Sequence, residues 1–142
     1  MIDEKIITFL KEHHVLNLAT SRDNKPYCAN CFYAFQEEPL VFVIASDTKS
    51  NHIREALQNP NIAGSIYLET KEIGKIQGLQ FVGLLKSPSE LEKKLYFKAY
   101  PFALAMRPKL WSLHVSYLKF TDNHLGFGGK KEYRFEVNDT KI

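Results

Sequence analysis

Both cysteines of the chain, Cys28 and Cys31, form a C-x-x-C within the run YCANCFYAF. That spacing is compatible with a redox dithiol, half of a metal site, or no chemistry at all. A thioredoxin-like dithiol sits at a helix N-terminus, where the dipole lowers the pKa of the attacking thiol. Here the flanking residues are aromatic and strand-forming, so the pair is expected on a β-strand. Strand positions i and i+3 point to opposite faces, with Cα atoms roughly 10 Å apart at a rise of about 3.3 Å per residue. A disulfide needs less than about 7 Å. No second C-x-x-C or H-x-H pair completes a zinc site, which leaves two small residues on a strand as the expected reading.

The run VFVIASDTKSNHIREALQNP is more informative. An apolar strand ends, a polar turn follows, and Lys49 stands at the start of a helix whose free N–H groups form an anion site. The dipole disfavours a cation there, and a bound phosphate bridging Lys49 and the N–H groups would resolve the conflict. Thr48 and Ser50 can donate hydroxyls, and His52 lies three residues after Lys49 on a neighbouring face of the first turn. The plain alternative is a capped helix with a solvated lysine. Arg107-Pro108-Lys109 is a further basic cluster, which a solvated turn explains equally well.

Other tempting motifs fail on spacing. HLGFGGKK matches neither G-x-x-x-x-G-K-[ST] nor G-x-G-x-x-G and is expected to be a hairpin turn. The histidines at 13, 14, 52, 114 and 124 show no ligand spacing, and no Ser-His-Asp set can be assembled.

The elements that must position these residues follow from periodicity. Ile2, Ile6, Phe9, Leu10 and His13 recur at helical spacing, predicting an amphipathic helix over residues 3 to 13. Strands are expected at 15 to 20 and 26 to 36, joined by the turn cluster Arg22-Asp23-Asn24-Lys25. LVFVIA (40 to 45) reads as a central strand buried on both faces. A short helix over the Ile53, Ala56 and Leu57 face follows, then strands at 62 to 69 and 75 to 86, with Gly78 and Gly83 marking bulges, bends or close backbone approach. Ser89-Glu90-Leu91-Glu92 is a capping box opening a helix that runs towards Met106, with Pro101 as its kink or break. LWSLHVSYLKFTD and KEYRFEV complete six or seven mostly antiparallel strands, an α+β barrel pattern.

Composition sets outer limits. The chain has 142 residues, 44% of them hydrophobic, and a net charge of +3 with no basic run longer than a pair, which is ordinary for one domain and argues against nucleic acid. No run of about 18 apolar residues and no signal-peptide pattern is present, so a cytoplasmic protein without membrane partners is expected.

KPYCANCFYAF, SDTKSNHIREALQNPNIAGSIY, GLQFVG and LKFTDNHLGFGGKK, in this order, resemble the FMN-binding split-barrel superfamily that includes pyridoxamine-phosphate oxidase. Within it, they are similar to a family of small bacterial proteins with a C-A-N-x-F-Y strand, a G-x-Q-F-x-G strand and a K-F-T-D-N-x-L-G-F-G ending. The resemblance implies a six-stranded antiparallel split barrel, a homodimer, and FMN in clefts between subunits. It places the phosphate-binding turn on Thr48 and Lys49, with Lys49 as the phosphate cation and His52 where many relatives carry asparagine. It also puts Gln80 near the flavin's pyrimidine edge; Asn30 either faces the same cleft or is a strand-edge asparagine in solvent, and Trp111 either walls the cleft or, as is commoner for a single tryptophan, packs in the core or an interface. Two functions are then compatible with the chain: an FMN-dependent oxidoreductase of a small molecule, or a non-catalytic or haem-binding protein on the same scaffold.

Overall fold

The turn cluster at 22 to 25 folds as its residues favour. Asp23 and Asn24 adopt φ values of 51° and 61°, and Arg22 pairs with Lys25, giving a tight two-residue hairpin. It joins β1 (Val15–Arg22) to β2 (Lys25–Gln36), paired antiparallel along the length of β1. The computed structural model describes residues 1–126 and 129–138. Besides β1 and β2 these form β3 (Val41–Ala45), β4 (Asn61–Tyr67), β5 (Gln77–Lys86), β6 (Leu110–Asp122) and β7 (Lys130–Arg134), with helices α1 (Glu4–Glu12), α2 (Asn51–Gln58) and α3 (Glu90–Ala99). The turn expected at HLGFGGK lies partly outside the described residues.

The sheet runs β3-β2-β1-β4-β5-β6-β7, and β3 also pairs with β6, so the first six strands close into a ring. β6 achieves this by dividing its length. Leu110 to His114 pair with β3, whereas Tyr117 to Thr121 pair with β7, which extends from the ring. The ring is narrowest between β1 and β4, where only Asn17↔Ser65, Leu18↔Gly64 and Ala19↔Ala63 are in register. Every pairing is antiparallel, and the result is the split α+β barrel expected from the sequence.

Alternation sends Leu16, Leu18, Phe42, Ile44, Phe81, Leu118 and Phe120 into one core, which α1 completes with Ile6, Phe9 and Leu10. β3 is buried on both faces because its outward residues Val41 and Val43 meet Tyr96 of α3. The Ser89–Glu92 capping box forms in both directions, and the buried Glu92 carboxylate also accepts the Ser112 hydroxyl at 2.7 Å. α3 does not reach Met106: it ends at Ala99, ahead of Pro101, and Pro101–Met106 continues as 3-10 turns. Gly78 has open space around it, its nearest contact for a built Cβ being Ile66 O at 3.9 Å, so only Gly83 of the two strand glycines marks a close approach. Among the described residues no helix is long and apolar enough to cross a membrane.

Cys28 is exposed and Cys31 is buried, on opposite faces of β2, and both are free. Burial pushes the Cys31 thiol up, the reverse of what an attacking thiol needs. Replacing both by alanine is expected to cost about 1 kcal/mol, through the packing of Cys31, and to leave ligand binding intact. Urea unfolding paired with a ligand titration checks this, and a folded variant that no longer binds would give the pair a chemical role.

Candidate functional site

Strand register builds a polar row across the outside of the barrel. Asn30 is the partner of Asn17, Asn17 of Ser65, Ser65 of Gln80, and Gln80 of Lys119. Directly paired residues share a face, so five strands present one line of hydrogen-bonding side chains. Asn17 donates to the Ser65 hydroxyl at 3.1 Å, while Gln80 and Asn30 are exposed. They line a hollow of about 670 Å³ together with Cys28, Ala63, Gly64, Val82 and Tyr117. Gly64 is required there: a Cβ would lie 2.2 Å from the Phe81 ring and 2.7 Å from Asn17 O. The sequence reading found Asn30 and Gln80 but not Asn17 or Ser65. Only the register shows that all four fall in line.

The second group of expected residues lies elsewhere, on the turn after β3. Asp47 turns its carboxylate onto the Lys49 N–H at 2.8 Å, and Ser50 donates to the Asp47 carbonyl at 2.6 Å. Ser50 is the N-cap of α2 without a side-chain cap hydrogen bond, and no acid follows in the first turn, so the helix start keeps donors for an anion. His52 points back into the turn, its Nε2 2.7 Å from the Ser46 hydroxyl and 3.5 Å from that of Ser50. Thr48 lines a hollow of about 500 Å³ whose opposite wall is Met106, Arg107, Pro108 and Lys109. The pairing of β3 with β6 is the reason: it continues past Ala45↔Leu110 to a Ser46 N–H bond on the Lys109 carbonyl at 3.0 Å. Trp111 is not a wall but a strut, buried and donating its indole N–H to the Ser46 carbonyl at 3.0 Å, with Lys109 Nζ over its ring. Arg107 and Lys109, a separate loop in sequence, thus add two cations to the turn that carries Thr48 and Lys49. The two hollows share no lining residue.

Burial holds His52 below the ordinary histidine value of 6.5. Burial likewise lowers His114, with the Glu92 carboxylate opposing and Lys86 assisting. A histidine lowered in the fold takes up its proton more readily when unfolded, so its stabilising contribution is full above the unfolded value and is lost as pH falls below about 6.5. The melting temperature is therefore expected to drop by a few degrees between pH 7 and pH 5, less steeply in His114→Gln. Burial acts to raise the Asp122 carboxyl, but the His124 N–H and ring and Gln77 hold it below 3.8, so its contribution is lost only under more acid conditions. That aspartate gives the T-D-N motif a structural role. It caps the turn at 123 to 125, and Asn123 donates to the Ile73 carbonyl at 2.7 Å, tying the end of β6 to the loop before β5.

A six-strand antiparallel ring closed by β3 and β6 defines the class: the protein has a split-barrel fold. A haem-binding protein of Mycobacterium smegmatis superposes with a TM-score of 0.70 at 16% identity, covering 87% of this chain and 54% of that one. An FAD-binding protein of Mesorhizobium loti gives 0.63 at 14%, covering 83% and 92%. ChuZ of Campylobacter jejuni gives 0.67 at 15%, covering 92% and 58%. No protein-family model matches the chain. Full-length relatives do: a UPF0306 protein of Campylobacter jejuni is 38% identical over 133 residues, 93% of this chain and 98% of its own length. One of Cronobacter sakazakii is 35% identical over 131 residues, 89% and 91%. The chain belongs to the UPF0306 family.

Proposed function

We propose that the protein binds FMN across a homodimer and serves as a flavin-dependent oxidoreductase of a small molecule. The observation that carries this reading is the polar row of Asn30, Asn17, Ser65 and Gln80 along a hollow whose size suits a cofactor. Carboxamides offer donors and acceptors side by side, which complements the alternating edge of a flavin pyrimidine ring. The small side chain of Ala63, on the outer face, keeps the floor shallow enough for a flat ring.

The phosphate needs cations, and the row has only Lys119 near its end. Lys49 on the turn after β3 supplies one, and Arg107 and Lys109, which line a hollow with Asp47 and Thr48 separate from the row, supply two more. A second copy joins the two by setting one subunit's turn beside the other's hollow. The outer face supports such a pairing: Val15, Phe32, Tyr67 and Val82 are 44, 59, 59 and 46% exposed around the polar row. FMN, when bound, accepts hydride and passes on electrons singly or in pairs. The chain's own residues bind and orient it. Gln80 and Asn30 fix the ring by its polar edge, the apolar partner face excludes water, and the basic turn anchors the phosphate.

Among the described residues no histidine lines the polar hollow, which favours flavin over haem there. The test is an absorbance spectrum from 300 to 600 nm, taken on the purified dimer before and after adding FMN and removing the excess. Retained flavin bands are the expected result. A Soret band after haem addition, with no flavin retained, would replace this reading with haem binding, and retention of neither by a folded dimer would overturn both.

A further inference from the structure

A third hollow, of about 520 Å³, lies between the end of α1, β2 and the end of α3. Leu10, Ala34, Phe35 and Leu95 give it an apolar floor. The polar atoms around that floor are already committed. The Tyr33 hydroxyl donates to the Leu10 carbonyl at 2.7 Å, the Tyr100 hydroxyl to the Tyr33 carbonyl at 2.6 Å, and His13 Nδ1 lies 2.8 Å from the Phe9 carbonyl. Two of the α1 end carbonyls that would repel an anion, those of Phe9 and Leu10, are therefore engaged. Lys11, His14 and Lys98 stand at the mouth, and among the described residues no carboxylate lines the hollow. Neither lysine enters an ion pair among the described residues. Glu12, the acid nearest in sequence, lines a different hollow with Asp122 and His124. An apolar floor beneath a rim of one charge sign is complementary to an amphiphile with an anionic head.

We propose that this hollow binds an apolar monocarboxylate. Its body packs on Leu10, Phe35 and Leu95, and its head group lies between Lys11 and Lys98. The small side chains of Ala34 and Ala99 leave the slot open. The site is independent of the outer-face hollow, with which it shares no residue.

Octanoate and octan-1-ol are the probes, titrated into the full chain below their aggregation limits and followed by backbone amide NMR. Saturable shifts at residues 10 to 14, 33 to 35 and 95 to 100 are expected, with octanoate binding at least tenfold more tightly than the alcohol. Lys98→Glu, a change at an exposed position, should abolish that preference and leave octanol unaffected. Ala99→Trp should block both probes while the absorbance test of the outer-face hollow is unchanged. Absence of saturable binding, equal affinities for acid and alcohol, or shifts mapping to the outer face would each overturn the proposal.

Discussion

Gly83→Ala is expected to destabilise the protein by about 3 to 5 kcal/mol. A Cβ at Gly83 would sit 2.1 Å from the His114 carbonyl oxygen, 2.9 Å from its carbon and 3.2 Å from Val115 Cα. These are backbone atoms of β6, so no rotamer change relieves the clash. β6 must move instead. The register between β5 and β6 shifts at Val82/Gly83, and the same stretch of β6 holds β3 through Val41↔His114. Moving it breaks ladder hydrogen bonds, each worth about 1 kcal/mol, in addition to the usual overpacking cost of about 1 to 3 kcal/mol. Gly74→Ala is the control, since nothing lies within 4 Å of a Cβ there and its expected effect is near zero. Urea denaturation of both variants decides the matter: a loss at position 83 below about 1 kcal/mol would mean that the bulge is pliant.

The second large effect concerns affinity. Under the proposed function, Arg107→Ala, Lys109→Ala and Lys49→Ala are each expected to weaken FMN by roughly 1.5 to 3 kcal/mol, the usual worth of a charge-assisted contact. Riboflavin, which lacks the phosphate, should bind these variants as it binds the parent. Gln80→Ala should weaken both ligands alike, because it acts on the ring. Lys109 also loses its place over Trp111, an exposed cation–π contact of about 0.5 to 1 kcal/mol, so its effect on stability must be measured alongside. Unchanged FMN titrations in all three basic variants would show that the phosphate does not lie at this turn. Equal losses for riboflavin would show a folding effect instead.

Much of this architecture is legible locally. Asp23 and Asn24 are residues that tolerate positive φ, and the hairpin forms where they stand. Ser89 with Glu92 announces α3, and Pro101 ends it, because capping and ring closure act within a few residues. The opposite faces of Cys28 and Cys31 follow from strand geometry alone. The resemblance carried by the strand and turn motifs also implied an antiparallel split barrel, while the order of its strands comes from the structure. His52 is a partial exception: its position in the first turn is legible, but its use as a partner of Ser46 depends on how the end of β3 enters α2.

The sequence by itself determined the elements, their inward and outward faces, and the turn at Thr48 and Lys49, since these depend on periodicity, caps and backbone preferences within a few residues. Only the tertiary structure decided that Asn30, Asn17, Ser65 and Gln80 form one row and that Arg107 and Lys109 face Thr48. Register between strands far apart in sequence is set by which apolar faces pack into the shared core and by where β3 closes on β6. That choice belongs to the whole barrel, because a slip of one residue in any strand would turn its polar member of the row into the core.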